Sequence, residues 1–111
     1  MITLDSLRNF GAHVEDGLAR CLNKEDFYLK MVNLGLADER FETLSDIIAK
    51  KDYDEAFEAV HALKGLIGNL ALTPLYEPIN KMTELLRAKT DTDYSELCAE
   101  IKLQRDKLLA L

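Results

Sequence analysis

The chain has no tryptophan, two prolines, two cysteines and five glycines in 111 residues, and its aromatic content is 7%. With valine scarce as well, extended sheets are not expected, because strands favour β-branched and aromatic side chains. Cys21 and Cys98 belong to no CxxC or Cys/His pattern. They read as small buried hydrophobes in a reducing cytosol, neither a disulfide nor a metal site. Positive charge is also short: 14 Lys and Arg stand against 20 Asp and Glu, a net charge of −6. Nucleic acid and anionic membrane surfaces both reward excess Lys and Arg, so neither is expected as a partner. No stretch is apolar for long enough to span a bilayer, and Met1-Ile2-Thr3-Leu4-Asp5 lacks the basic start of a leader, so a cytoplasmic location is expected. There is no Gly-rich phosphate loop, Walker-type lysine or Mg²⁺-binding acidic cluster. The chain is expected to use no ATP, cofactor or metal of its own.

What is present is Leu, Ala, Glu, Lys and Asp, at 48% hydrophobic and 31% charged residues overall. That composition suits a helical protein of one domain, 1–111, with no linker or low-complexity tract. Apolar periodicity places short helices at about 2–10, ended by Gly11, and at about 14–22, with Gly17 a weak spot inside it. A third is expected to be capped by Asn23, buried through Phe27, Met31 and Leu34, and stopped by Gly35. Asp38 caps a fourth, buried through Phe41, Leu44, Ile47 and Ile48. Asp52 and Glu55 open a central helix at about 53–71 with Phe57, Val60, Leu63, Ile67 and Leu70 in the core. Thr73 is expected to cap the next, whose first residue is Pro74, with Leu75, Ile79, Met82, Leu85 and Leu86 buried and a kink or late start at Pro78. Asp93 and Glu96 open the last, to about Leu109, buried through Tyr94, Leu97, Cys98, Ile101 and Leu108. Short connections make consecutive helices antiparallel. The fold class is all-α, an antiparallel four-helix bundle (up-down-up-down) over about 38–110 with additional short N-terminal helices over about 2–35.

The candidate site lies on the central helix, in His61-Ala62-Leu63-Lys64-Gly65-Leu66-Ile67-Gly68. On a helical wheel with Tyr53 at zero, the expected core residues fill an arc of about 140° centred near 330°. His61 then falls near 80°, Lys64 near 20°, Gly65 near 120° and Gly68 near 60°. His61 is thus expected at the edge of the buried arc, and the glycines on its side would let another protein approach its ring. Lys64, one turn on, suits the oxygens of a phosphoryl group attached to His61.

His-Ala-Leu-Lys-Gly, the following Gly68, Leu70-Ala71-Leu72 and the helix ending Glu84-Leu85-Leu86-Arg87 resemble the histidine-containing phosphotransfer (HPt) domain family over about Asp38 to Arg87. The resemblance implies a helical phosphocarrier, not an enzyme, of a two-component multistep phosphorelay. Its partners would be response-regulator receiver domains or a hybrid sensor histidine kinase, and it is expected to be a monomer. By position His61 is similar to the phosphoacceptor, Lys64 to the lysine near the phosphoryl group, and Gly65 and Gly68 to the small residues where partners dock. The family often has small residues at the positions of Leu66 and Ile67, and Gly at that of Ala71. A helical adaptor that binds a receiver or kinase without being phosphorylated is the alternative, ahead of a purely structural bundle. His13, with no comparable neighbours, is read as neutral.

Overall fold

Local chemistry sets several of the helix ends. The computed structural model describes all 111 residues, in seven α-helices and no strands. Helix α1 (Leu4–Phe10) starts at Thr3, whose hydroxyl accepts from the Ser6 amide at 3.0 Å while the Ser6 hydroxyl accepts from the Thr3 amide at 2.9 Å. This reciprocal cap satisfies two otherwise orphaned donors. Gly11 ends α1 in the left-handed region, at φ 113°. Helices α2 (Val14–Arg20) and α3 (Glu25–Leu36) follow, then α4 (Arg40–Ala49), α5 (Tyr53–Asn69), α6 (Thr73–Arg87) and α7 (Ser95–Leu109).

Helices α4 to α7 pack each against the next, and α7 closes on α4, which makes the four-helix bundle. Asp38 and Asp93 each accept from the amide two residues on, Arg40 and Ser95, at 2.9 Å. Asp52 Oδ1 accepts from the Glu55 amide at 3.1 Å. Thr73 is not a cap. It is the first helical residue of α6, and its hydroxyl turns back to donate to the Ala71 carbonyl at 3.4 Å. Pro78 neither ends nor delays α6, which starts at Thr73 and runs past the buried Pro78 to Arg87.

Helix α3 departs most from the sequence reading. Lys24, not Asn23, is its N-cap position and makes no side-chain cap bond, and Asn23 lies one residue earlier in a turn at φ 57°. Its buried residues are Tyr28, Val32, Gly35 and Leu36. Phe27 and Leu34 are 46% and 57% exposed and Met31 is half-buried, so the helix is rotated by about one residue from the expected stripe. The reason is Tyr28, whose hydroxyl donates to the Leu70 carbonyl at 2.8 Å and so is buried without an unmet polar group. Gly17 makes room for that ring, since a Cβ there would lie 2.5 Å from Tyr28 Cε1. Gly35 does not stop the helix either. It is the penultimate helical residue, and a Cβ on it would come within 2.8 Å of Leu70 Cδ1. Arg105 of α7 holds the end of α3, donating to the Leu36 carbonyl at 2.8 Å and to Glu42 at 2.6 Å while lying over the Phe41 ring. A core of 23 buried residues runs from Ile2 to Leu108, so α1 to α3 share it with the bundle.

Candidate functional site

The inward face of α5 is Ala56, Ala59, Val60, Leu63 and Ile67, with Leu70 buried just beyond its end. Phe57 is only half-buried. On the wheel this moves the buried arc to a centre near 290°, so His61 lies about 150° from it, well clear of the edge where it was expected. His61 is accordingly exposed. Its ring stacks on Phe57, with centroids 5.3 Å apart and planes at 21°, and the Arg87 guanidinium covers the same Phe57 ring at 5.1 Å. The imidazole is thus steadied on one side and open on the other. Lys64 is half-buried, and its Nζ lies 3.5 Å from Glu84 Oε1, while Glu84 Oε2 holds Arg87 at 3.6 Å.

His61, Lys64, Gly65 and Gly68 all line one open cleft of about 540 Å³. The two glycines differ. Around Gly65 nothing comes within 4 Å of where a Cβ would stand, whereas at Gly68 the Tyr76 ring of α6 is 3.2 Å away. Gly65 is therefore bare and Gly68 is half-buried under an aromatic side chain, not facing open solvent. Leu66 and Ile67 are not part of the cleft lining: Ile67 is in the core, and Leu66 lines a separate shallow depression with Phe27, Met31 and Leu70.

The other wall comes from His13, which the sequence pattern marks only as neutral, and from Asp16 and Arg20, which it does not mark at all. Their segment is fastened to the end of α5. The His13 amide donates to the Ala71 carbonyl at 2.9 Å and Arg20 Nη1 to the Gly68 carbonyl at 2.6 Å. With the Tyr28 bond to Leu70, three carbonyls at and just past the α5 C-terminus accept from the segment His13–Tyr28; those of Leu70 and Ala71 lie beyond the helix, and that of Gly68 also accepts from the Ala71 amide at 3.1 Å. Ala71 sits at φ 58°, the left-handed conformation that glycine adopts at lower cost. No signal in the α2 sequence reveals this placement, since it depends on how α2 docks on α5. Nowhere in the chain, the cleft included, do three His, Cys, Asp or Glu side chains converge to hold a metal.

A family model, that of the Hpt domain, matches residues 34–111, from the end of α3 through the whole bundle and the site on α5. The chain belongs to the Hpt domain family. A search of curated proteins found no match, and a search of solved structures found none. Hpt domains are phosphocarriers that take part in histidine phosphotransfer within phosphorelays, working with receiver domains and kinases, and this chain shares that general role. The family match stops short of α1, α2 and most of α3, so the His13–Arg20 wall of the cleft lies outside it. No helix of this Hpt domain is long and apolar enough to cross a membrane.

Proposed function

We propose that this Hpt domain accepts a phosphoryl group on His61 from the phospho-aspartate of one receiver domain and passes it to another. The observation that carries the reading is an exposed imidazole, stacked on Phe57, at a cleft whose floor is bare at Gly65. A ring nitrogen of His61 attacks phosphorus in line. The N–P bond forms as the bond from phosphorus to the aspartyl oxygen breaks, and the aspartate leaves as a carboxylate. Phe57 holds the ring in the attacking orientation, which removes part of the entropic cost. Lys64 then exchanges its long contact with Glu84 for the phosphoryl oxygens, a stronger charge-assisted partner. Gly65, and Gly68 with the adjoining edge of Tyr76, form the floor on which the receiver rests.

Residues 1–111 act in this reading as one unit, a cytoplasmic monomer with α1–α3 as an end cap. The free cysteines, Cys21 buried and Cys98 half-buried, accord with a reducing compartment. The placement of Leu66 and Ile67 off the cleft supports this reading over a non-phosphorylated adaptor.

Incubation with a phosphorylated receiver domain tests the proposal. Acid-labile, alkali-stable label is expected on the chain and absent from His61→Gln. Label retained in that variant defeats the acceptor assignment, and binding without transfer favours the adaptor.

A further inference from the structure

We propose that Arg20 of α2 is a partner-selecting residue, binding a carboxylate on the receiver domain at a distance from the phosphoryl group itself. The inference rests on the phosphocarrier reading and extends it to residues outside the family match.

Four observations lead to it. Arg20 is exposed and lines the same cleft as His61 and Lys64. Whereas Arg8, Arg40, Lys64, Arg87, Lys102 and Arg105 each sit within salt-bridge distance of a carboxylate, Arg20 has none. Its one hydrogen bond runs from Nη1 to the Gly68 carbonyl, which fixes the guanidinium at the cleft wall and leaves its other N–H donors free. In a chain of net charge −6, the cleft lining carries the cations Arg20 and Lys64 against the carboxylate of Asp16, and because Lys64 already faces Glu84, Arg20 is the cation there with no carboxylate within salt-bridge distance. An acidic or strongly hydrogen-bonding surface complements that balance.

Distance decides which acidic group Arg20 meets. Gly68 is seven residues beyond His61, about 10 Å along the helix axis. Side chains on a helix also lean toward its N-terminus, which carries the His61 ring further away. A guanidinium tethered at the Gly68 carbonyl is therefore out of reach of a phosphoryl group on His61, the place of Lys64. A receiver seated over Gly65 spans the gap and presents a side chain of its own to Arg20. A carboxylate there gains a bidentate partner already held in position. The phosphoryl chemistry and the recognition contact are then separated along one cleft, the first from the bundle and the second from α2.

The test uses the full chain and the receiver domains of its own genome, phosphorylated with acetyl phosphate, with transfer rates measured against receiver concentration at two ionic strengths. For the receiver that labels the wild-type chain best, Arg20→Glu raises the half-saturating concentration by roughly tenfold and Arg20→Gln by about threefold, while Arg20→Lys stays within about twofold. The salt dependence of half-saturation flattens in Arg20→Gln. The rate at saturation falls by less than about twofold in each, because the contact does not touch the reacting atoms. If charge reversal unseats α2, Arg20→Gln carries the comparison. Half-saturation and salt dependence that match the wild type overturn the proposal. So does a lowered thermal midpoint with unchanged half-saturation, which makes Arg20 only a fastener of α2. Failure of every receiver to label the wild-type chain instead defeats the phosphocarrier reading, and this proposal with it.

Discussion

Gly65 lies in the interior of α5 with nothing within 4 Å of where a Cβ would stand, so alanine fits there without moving a neighbour. Gly65→Ala is expected to raise unfolding stability by about 0.5–1 kcal/mol, read from urea denaturation, because glycine loses more backbone freedom on helix formation. If the bare floor serves docking, the same variant slows labelling by a receiver, and an unchanged rate removes Gly65 from the interface. Ala71 is the converse case. At φ 58° its Cβ crowds the following carbonyl, and Ala71→Gly is expected to gain up to about 1 kcal/mol despite the extra freedom of glycine in the unfolded chain. A loss of stability on that change would show that the Ala71 methyl packs more usefully than its backbone is strained. Both residues were visible in sequence as part of a small-residue pattern around His61. Which of the glycines was bare was not, because Tyr76 reaches Gly68 from another helix.

Among the elements, α3 separates what periodicity can give from what it cannot. Both of its faces are apolar, with Phe27, Met31 and Leu34 on one and Tyr28, Val32 and Leu36 on the other, so its sequence pattern does not choose the buried side. The choice is made by the Tyr28 hydroxyl meeting the Leu70 carbonyl and by the space above Gly17, both tertiary facts. Helix α5 was legible because its cap, Asp52, and most of its core face are set locally. Burial pushes the Tyr28 phenol up to about 12. An unfolded tyrosine titrates near 10, so the folded chain binds this proton more tightly. The associated stability is complete below about pH 10 and is lost as pH rises toward 12. Tyr28→Phe is expected to cost about 1 kcal/mol at neutral pH, from the unpartnered Leu70 carbonyl, and to show a shallower alkaline decline. Urea titrations at pH 8 and near pH 11 check both, and an equally steep decline in the variant rejects this role for Tyr28.

For the molecule as a whole, the arrangement is an elongated body of 41 × 24 × 20 Å in which α1–α3 cap the end of α5 and share the core of the bundle. The bundle and the helix that bears His61 could be read from the sequence because the pattern around His61 lies within one continuous helix. The second wall of the cleft joins residues about fifty positions apart, a pairing that no local pattern records. The bond from the His13 amide to the Ala71 carbonyl gives that junction an observable life of its own. His13 stands between two seven-residue helices, where an amide ordinarily trades its proton for deuterium soon after transfer to heavy water. Here it should keep that proton as long as the last turn of α5 does, and lose it only when the cap lifts. One nuclear magnetic resonance signal from a short connector thus becomes a clock for the seating of two halves of the protein, and a receiver that settles across both should make it run slower.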